Sequence, residues 1–253
     1  MTTRAGSATA RTGTWEWAER TGGRLTRAEE LRHILAFARA VVRARLRRRL
    51  PGPAGPVTVA EAPPDSDVAR AALATARAAS SPALLGHCLR SWLYADALAQ
   101  VDRIDHDREL LFTACVLHDI GLTPAHWGRR AACFGVEGAM AAHDLALAHG
   151  YPRAREVAEA ITLHLQVDVR LRDGAEAHLL HIGTTTDLLG LRARDVPRDT
   201  RLEIARRHPQ EGLASEMAGL VARQARLRPR SRIAVLHRSG FSAAIRATGR
   251  RRT

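Results

Sequence analysis

The sequence predicts an all-α fold, on three observations. Ala and Leu supply much of the 45% hydrophobic content, and runs of β-branched residues are few, which favours helix over strand. Apolar residues recur at helical spacing between Gly and Pro punctuation, with no alternating strand series and no internal repeat. A chain of 253 residues makes one large domain, or a domain with an appendage.

The first 24 residues carry no periodicity and read as loose. In "TRAEE", Thr26 and Glu29 form a capping box that opens a helix. Leu31, Ile34, Leu35, Ala38, Val41 and Val42 follow at helical spacing, with arginines opposite. This additional N-terminal amphipathic helix is expected to lay its apolar face on the domain, although such a basic helix also suits a membrane surface or a partner. "LPGPAGPVTVAEAPPD" (50–65) holds five prolines and breaks the pattern. The expected organisation is a basic extension at 1–50 with one helix, a Pro-rich linker at 51–65, a main domain at 66–241 and a basic tail at 242–253. Within the domain, helices are expected at 67–79, 82–100, 107–118, 135–149, 152–165, 174–190 and 199–206, with more near 211–227. Gly121, Gly150 and Gly190 fall at their ends, and Pro82, Pro124, Pro152 and Pro197 flank starts or stops.

Composition removes several function classes. No window approaches about 18 apolar residues, so no membrane span is expected. The N-terminus lacks an apolar signal core, and the three cysteines, Cys88, Cys115 and Cys133, show no C-x-x-C spacing. Both fit reduced thiols and a cytoplasmic protein. The net charge of +13 points first to nucleic acid. Its distribution points away: residues 1–50 carry +8, residues 223–253 carry +10, and the stretch between carries −5. Lysine is absent, so the basic charge is all arginine and looks like a composition bias. Aromatics make up 4%, too few for base-stacking platforms. A nucleic-acid partner is therefore disfavoured.

Three His-Asp pairs invite a metal. His106-Asp107 lies in the charged "VDRIDHDRE" and reads as a solvated turn. His143-Asp144 lies mid-helix, where neighbours point about 100° apart. His118-Asp119 differs, because "LLFTACVL" reads as a buried helix that Gly121 and Pro124 then stop. At a helix end the second residue leaves helical geometry, so adjacent side chains can converge. A buried His and Asp need partners, and a cation satisfies both. Two protein ligands are too few, so others must come from other helices. His87, in "SPALLGHCLRSWLYADAL", and Asp187, in "AHLLHIGTTTDLLG", each sit among core-facing residues. Each alone also fits a satisfied core polar group. A cysteine–histidine nucleophile using Cys88 or Cys115 is a weaker alternative, since Cys88 and His87 are helix neighbours that do not face each other.

The order His … His-Asp … Asp resembles the HD-domain metal-dependent hydrolases over roughly residues 66–241. Within them the chain is most similar to the cyanamide-hydratase-like branch, on "GHCLRSWLYADAL", "VLHDIGLTPAH", "CFGVEGAMAA", "VAEAITLH", "TTTDLLGL", "RRHPQEGL" and "RSGF". The resemblance implies an HD-domain helical bundle with metal ligands at His87, His118, Asp119 and Asp187. It implies one divalent ion, zinc first, with iron, manganese or nickel as alternatives. Phe134 stands where two-metal relatives carry a further His. An ion so held lowers the pKa of water to about 7 and polarises a substrate. His164, in the matching "AEAITLH", is the first candidate to move protons, with Glu137 second, while Asp119 both binds metal and orients water. The expected partner is a small-molecule substrate, possible classes being a nitrile such as cyanamide or a phosphate ester. A metal-stabilised sensing or adaptor domain is the non-enzyme alternative, and a homo-oligomer stays open.

Overall fold

The structure, a computed structural model, describes residues 10–46, 56–127 and 131–250. Among them the fold is all-α, with twelve α-helices and no strand. Residues 51–55 of the expected linker, and Arg129 and Arg130, lie outside the described residues.

The N-terminal segment departs from expectation. Residues expected to be loose form α1 (Trp15–Thr21), which the Thr14 hydroxyl caps by accepting from the Trp17 amide. Seven residues are too few to show a period, but Trp15, Trp17 and Ala18 are buried and anchor α1 against the core. The Trp15 amide donates to the Glu159 carboxylate. The Thr26–Glu29 capping box then opens α2 (Arg27–Leu46), and Glu29 also accepts the Trp17 indole N–H at 2.9 Å.

α2 packs with a face rotated from the expected one, and of the expected residues Val41 turns inward. Leu31, Ile34, Leu35 and Val42 are exposed, while His33 is buried and Phe37 and Val41 are partly buried. Apolar residues occupy both faces of this helix, so spacing alone could not choose between them. The inward face is fixed by its docking, since Leu25 and Arg230 exchange two hydrogen bonds, N–H to O at 2.9 Å and Nη2 to O at 2.8 Å.

The expected helices of the main domain form within a few residues of their expected bounds. They are α3 (Asp67–Ala79), α4 (Pro82–Asp102), α5 (Arg108–Leu117), α6 (Phe134–Ala148), α7 (Ala154–Leu163), α8 (Ala175–Leu189), α9 (Arg198–Arg207) and α10 (Leu213–Leu227). Ser66, Ser81 and Asp107 cap α3, α4 and α5 through their side chains, and Pro82 takes the first helical position of α4. Two helices follow that the sequence did not announce, α11 (Arg232–Arg238) and α12 (Phe241–Arg250). α12 occupies most of the expected basic tail; Ser242 and Ile245 point inward and the helix packs on α10.

α4 is buried almost all round and makes its largest contact with α8. The two run antiparallel, with Ser91 opposite Gly183 and His87 opposite Asp187. A Cβ at Gly183 would stand 2.3 Å from the Ser91 carbonyl, so only glycine allows this approach. Gly183→Ala is expected to cost about 1–3 kcal/mol by overpacking, read as a lower urea midpoint. Gly219, mid-helix in α10 with open space around it, is the control. Gly219→Ala is expected to gain about 0.5–1 kcal/mol from helix propensity. Equal effects at the two sites would refute the close-packing account.

A second expectation concerns acid. Burial, and after it the Arg232 guanidinium, hold the His33 imidazole down at about 4. Unfolded, it titrates near 6.5, so the unfolded chain binds more protons between those values. The His33 contribution to stability is therefore full above pH ~6.5 and falls as pH drops toward 4. His33→Leu should lose less stability than wild type between pH 7 and 4.5, by up to about 3 kcal/mol, measured from urea midpoints.

Candidate metal centre

Two of the site's histidines share one local device. His118 and His164 are the C-cap residues of α5 and α7. Each turns its Nδ1 back to the carbonyl three residues before it, His118 to Cys115 at 2.7 Å and His164 to Ile161 at 2.5 Å. Those carbonyls belong to a last helical turn and have no amide to accept from within the helix. A proton on Nδ1 thus satisfies the helix end, so Nε2 is the atom that turns either a second proton or a lone pair toward the site.

His87 reaches the same result differently. It sits mid-helix on α4 with Nδ1 2.7 Å from Oδ2 of Asp187 on α8. All three Nε2 atoms then face one carboxylate. Asp119 Oδ2 lies 3.2 Å from His118 Nε2 and 3.6 Å from His87 Nε2, and its Oδ1 lies 3.8 Å from His164 Nε2. The backbone makes this convergence: His118 is still helical (φ −58°, ψ −32°), whereas Asp119 has swung to φ −105°, ψ 8°. Gly121 lets the following turn press on α6, since a Cβ there would lie 2.1 Å from the Phe134 carbonyl.

Electrostatics follow from burial and proximity. Burial pushes the Asp119 carboxyl up, but His118, then His87 and His164, outweigh it and hold it well below the usual carboxylate range. Burial pulls His118 down, but Asp119 and the Cys88 thiol raise it well above the ordinary imidazole value. Burial, with His118 beside it, holds His164 down at about 3. The Cys88 thiol is itself pushed up, chiefly by burial. Its partner is His118 on another helix, which sequence adjacency to His87 concealed.

His87, His118 and Asp119 form a buried ligand set with one donor atom each, all within 4.8 Å of one another. His87 Nε2 is buried without a hydrogen-bond partner, which is costly unless a cation takes it. Imidazole nitrogen with carboxylate oxygen suits zinc and several other divalent first-row metals. The residues present therefore fit a divalent ion.

The structure places the remaining expected residues as follows. Asp187 stands on the far side of His87 and is not brought into this ligand set. Its two oxygens accept from His87, from Arg90 Nε and Nη2 at 2.7 and 3.0 Å, and from Gln210 at 2.6 Å. Burial raises the Asp187 carboxyl, but His87 and Arg90 outweigh it and hold it well below the usual range. Glu137 is buried on α6 and accepts the Ala131 amide at 2.8 Å. Asp107 caps α5, and His143 stacks on Trp15 at 5.4 Å, so those two His-Asp pairs have structural partners. Sequence reasoning missed His181, whose Nδ1 lies 3.3 Å from the His164 carbonyl. Its signal was the run of His181, Thr184, Thr185 and Leu188 at helical spacing on α8. Nothing in the sequence tied Gln210 to Asp187.

The family model described as HD domain matches residues 84–230, more than half of the chain. No curated protein matches it. The matched segment contains His87, His118, Asp119, His164 and Asp187.

Arg90 is fully buried, and its remaining nitrogen, Nη1, donates to the carbonyls of His208 and Pro209. Asp187→Asn strands that cation and is expected to cost about 3–5 kcal/mol. Adding Arg90→Met should recover a large part of the loss. A double-mutant cycle on denaturant midpoints measures this; strictly additive losses would show that the pair is not coupled.

Proposed function

The chain belongs to the HD domain family, and on that premise we propose that it is a metal-dependent hydrolase or hydratase that adds water to a small uncharged molecule. The observation that carries this reading is the convergence of three buried imidazole Nε2 atoms on Asp119, with His87 Nε2 otherwise unpartnered.

His87, His118 and Asp119 would hold the ion, and zinc is the proposed species on their nitrogen and oxygen donors. A divalent ion supplies Lewis acidity and makes water nucleophilic near neutral pH. Asp187, expected as a fourth ligand, is proposed to act one step back: it fixes the His87 tautomer and ring orientation, as carboxylates behind ligating histidines do. His164 is proposed to move protons. Its Nδ1 is committed to the Ile161 carbonyl, so Nε2 is the basic atom, and it faces Asp119 Oδ1. Glu137 is proposed to hold the Ala131 amide rather than to act on substrate.

The electrophile proposed is an uncharged carbonyl or nitrile carbon, of which cyanamide is the smallest case. A phosphate ester is less well supported, because Arg90, the one described arginine close to a ligand in sequence, spends its donors on Asp187 and two carbonyls.

Elemental analysis of the purified chain should find one divalent transition metal per molecule. Asp119→Ala should abolish both the ion and turnover. A folded, metal-free wild-type protein would end this reading. Urea formation from cyanamide, set against nitrophenol release from bis(4-nitrophenyl) phosphate, should favour the uncharged substrate.

A further inference from the structure

The candidate metal centre borders a cavity of about 450 Å³. His118, Asp119 and His164 line it, and His181, Thr184 and Thr185 add polar groups along α8. Most of the remaining wall is apolar, Val167, Leu188, Met217 and Val221 among it, with Gln166 and Thr248 as the further polar side chains. Among the described lining residues Asp119 is the one carboxylate, and no arginine is present.

The origin of the apolar end is informative. Phe37, Ala40 and Val41 come from α2, and Ile233, Leu236 and Phe241 from α11 and α12. All six lie outside residues 84–230, so the metal end comes from the family segment and this wall from the chain's own flanking helices. The face that α2 turns inward is spent here, although the same helix leaves Leu31, Ile34, Leu35 and Val42 in solvent. The choice of face thus builds the cavity.

Taking the metal-centre reading as its basis, we propose that the site selects an uncharged amphiphile: a polar carbonyl or nitrile head at the His118–Asp119–His164 end and an extended hydrocarbon body between α2, α11 and α12. A cavity of this volume suits a ligand of drug size, most of whose surface is buried against apolar side chains. Cyanamide, with three non-hydrogen atoms, would leave most of it unfilled. Each methylene moved from water into this wall is favourable, whereas a charged group placed among its apolar side chains would lose hydration.

The test is calorimetric titration of the full chain with acetamide, butyramide, hexanamide and octanamide, with 6-aminohexanamide, a cation at neutral pH with the same amide head, as the charged control. Affinity should rise about fourfold per added methylene until the cavity is filled. Hexanamide should bind more tightly than 6-aminohexanamide. Ala40→Trp, which fills the α2 side of the wall, should weaken octanamide at least tenfold while the ion content stays as in wild type. A flat amide series, or tighter binding of 6-aminohexanamide, would overturn the inference even with the ion in place. Ion content on the same samples separates the two readings. A chain that lacks the ion yet follows the length rule overturns the hydrolase reading and upholds this one.

Discussion

The arrangement depends on one buried carboxylate. Asp119 is almost fully withdrawn from water, and a carboxylate in that position is expensive unless it is met by compensating groups. The fold meets it with three imidazoles, each pinned through the ring nitrogen that points away. The pins come from different places: a side chain on α8 for His87, and the last turns of α5 and α7 for His118 and His164. A shift of any of these elements would turn an Nε2 away from the carboxylate. Without an ion, a proton on His118 Nε2, 3.2 Å from the carboxylate, compensates Asp119; with that proton gone the same atoms are the donors that an ion needs, so preorganisation and stability are one problem here.

The α4–α8 contact solves the hardest part of it. His87 and Asp187 lie one helical turn from Ser91 and Gly183, and at that pair the two backbones come as close as a missing Cβ permits. Arg90 sits on the turn between them and is a third member of the buried cluster. Its fork-shaped cation spans a carboxylate and two backbone carbonyls, a pattern that lysine, a point charge on a flexible stem, could not reproduce. A glycine, an arginine and an aspartate on two helices thus set the orientation of the His87 imidazole.

The sequence disclosed the helices of the main domain well, because Gly and Pro breakers marked them. Pro82, Pro197, Gly150 and Gly190 fall at or beside their ends, and the structure adds side-chain caps at Ser66, Ser81 and Asp107. α1 stayed hidden because its stability is tertiary: two tryptophans buried against distant helices, not a repeating pattern. The face of α2 was misread because its hydrophobic residues run on both sides, and the deciding contacts, such as Leu25 with Arg230, are far away in sequence. α12 was masked by its arginines, whose charged heads can reach solvent while Ile245 packs inward. At the site, the spacing of His87, His118-Asp119 and Asp187 was legible, but spacing says nothing of which side of an imidazole a carboxylate takes. That depends on helix register, which a glycine sets.

The arginine content gains a different meaning from these contacts. The net charge of +13 suggested polyanion binding, yet several arginines are committed internally. Arg192 joins Asp102 to Asp195, Arg207 joins Glu203 to the Ala60 carbonyl, and Arg232 donates to the Thr162 carbonyl with its guanidinium 5.0 Å from the Trp17 ring centre. In a chain without lysine, the guanidinium fork serves as the connector between elements that share no hydrogen-bond ladder. These arginines tie separate segments together, and none lines the described cavity wall. Positive charge is therefore abundant in the molecule but absent from the described cavity wall, which is mostly apolar.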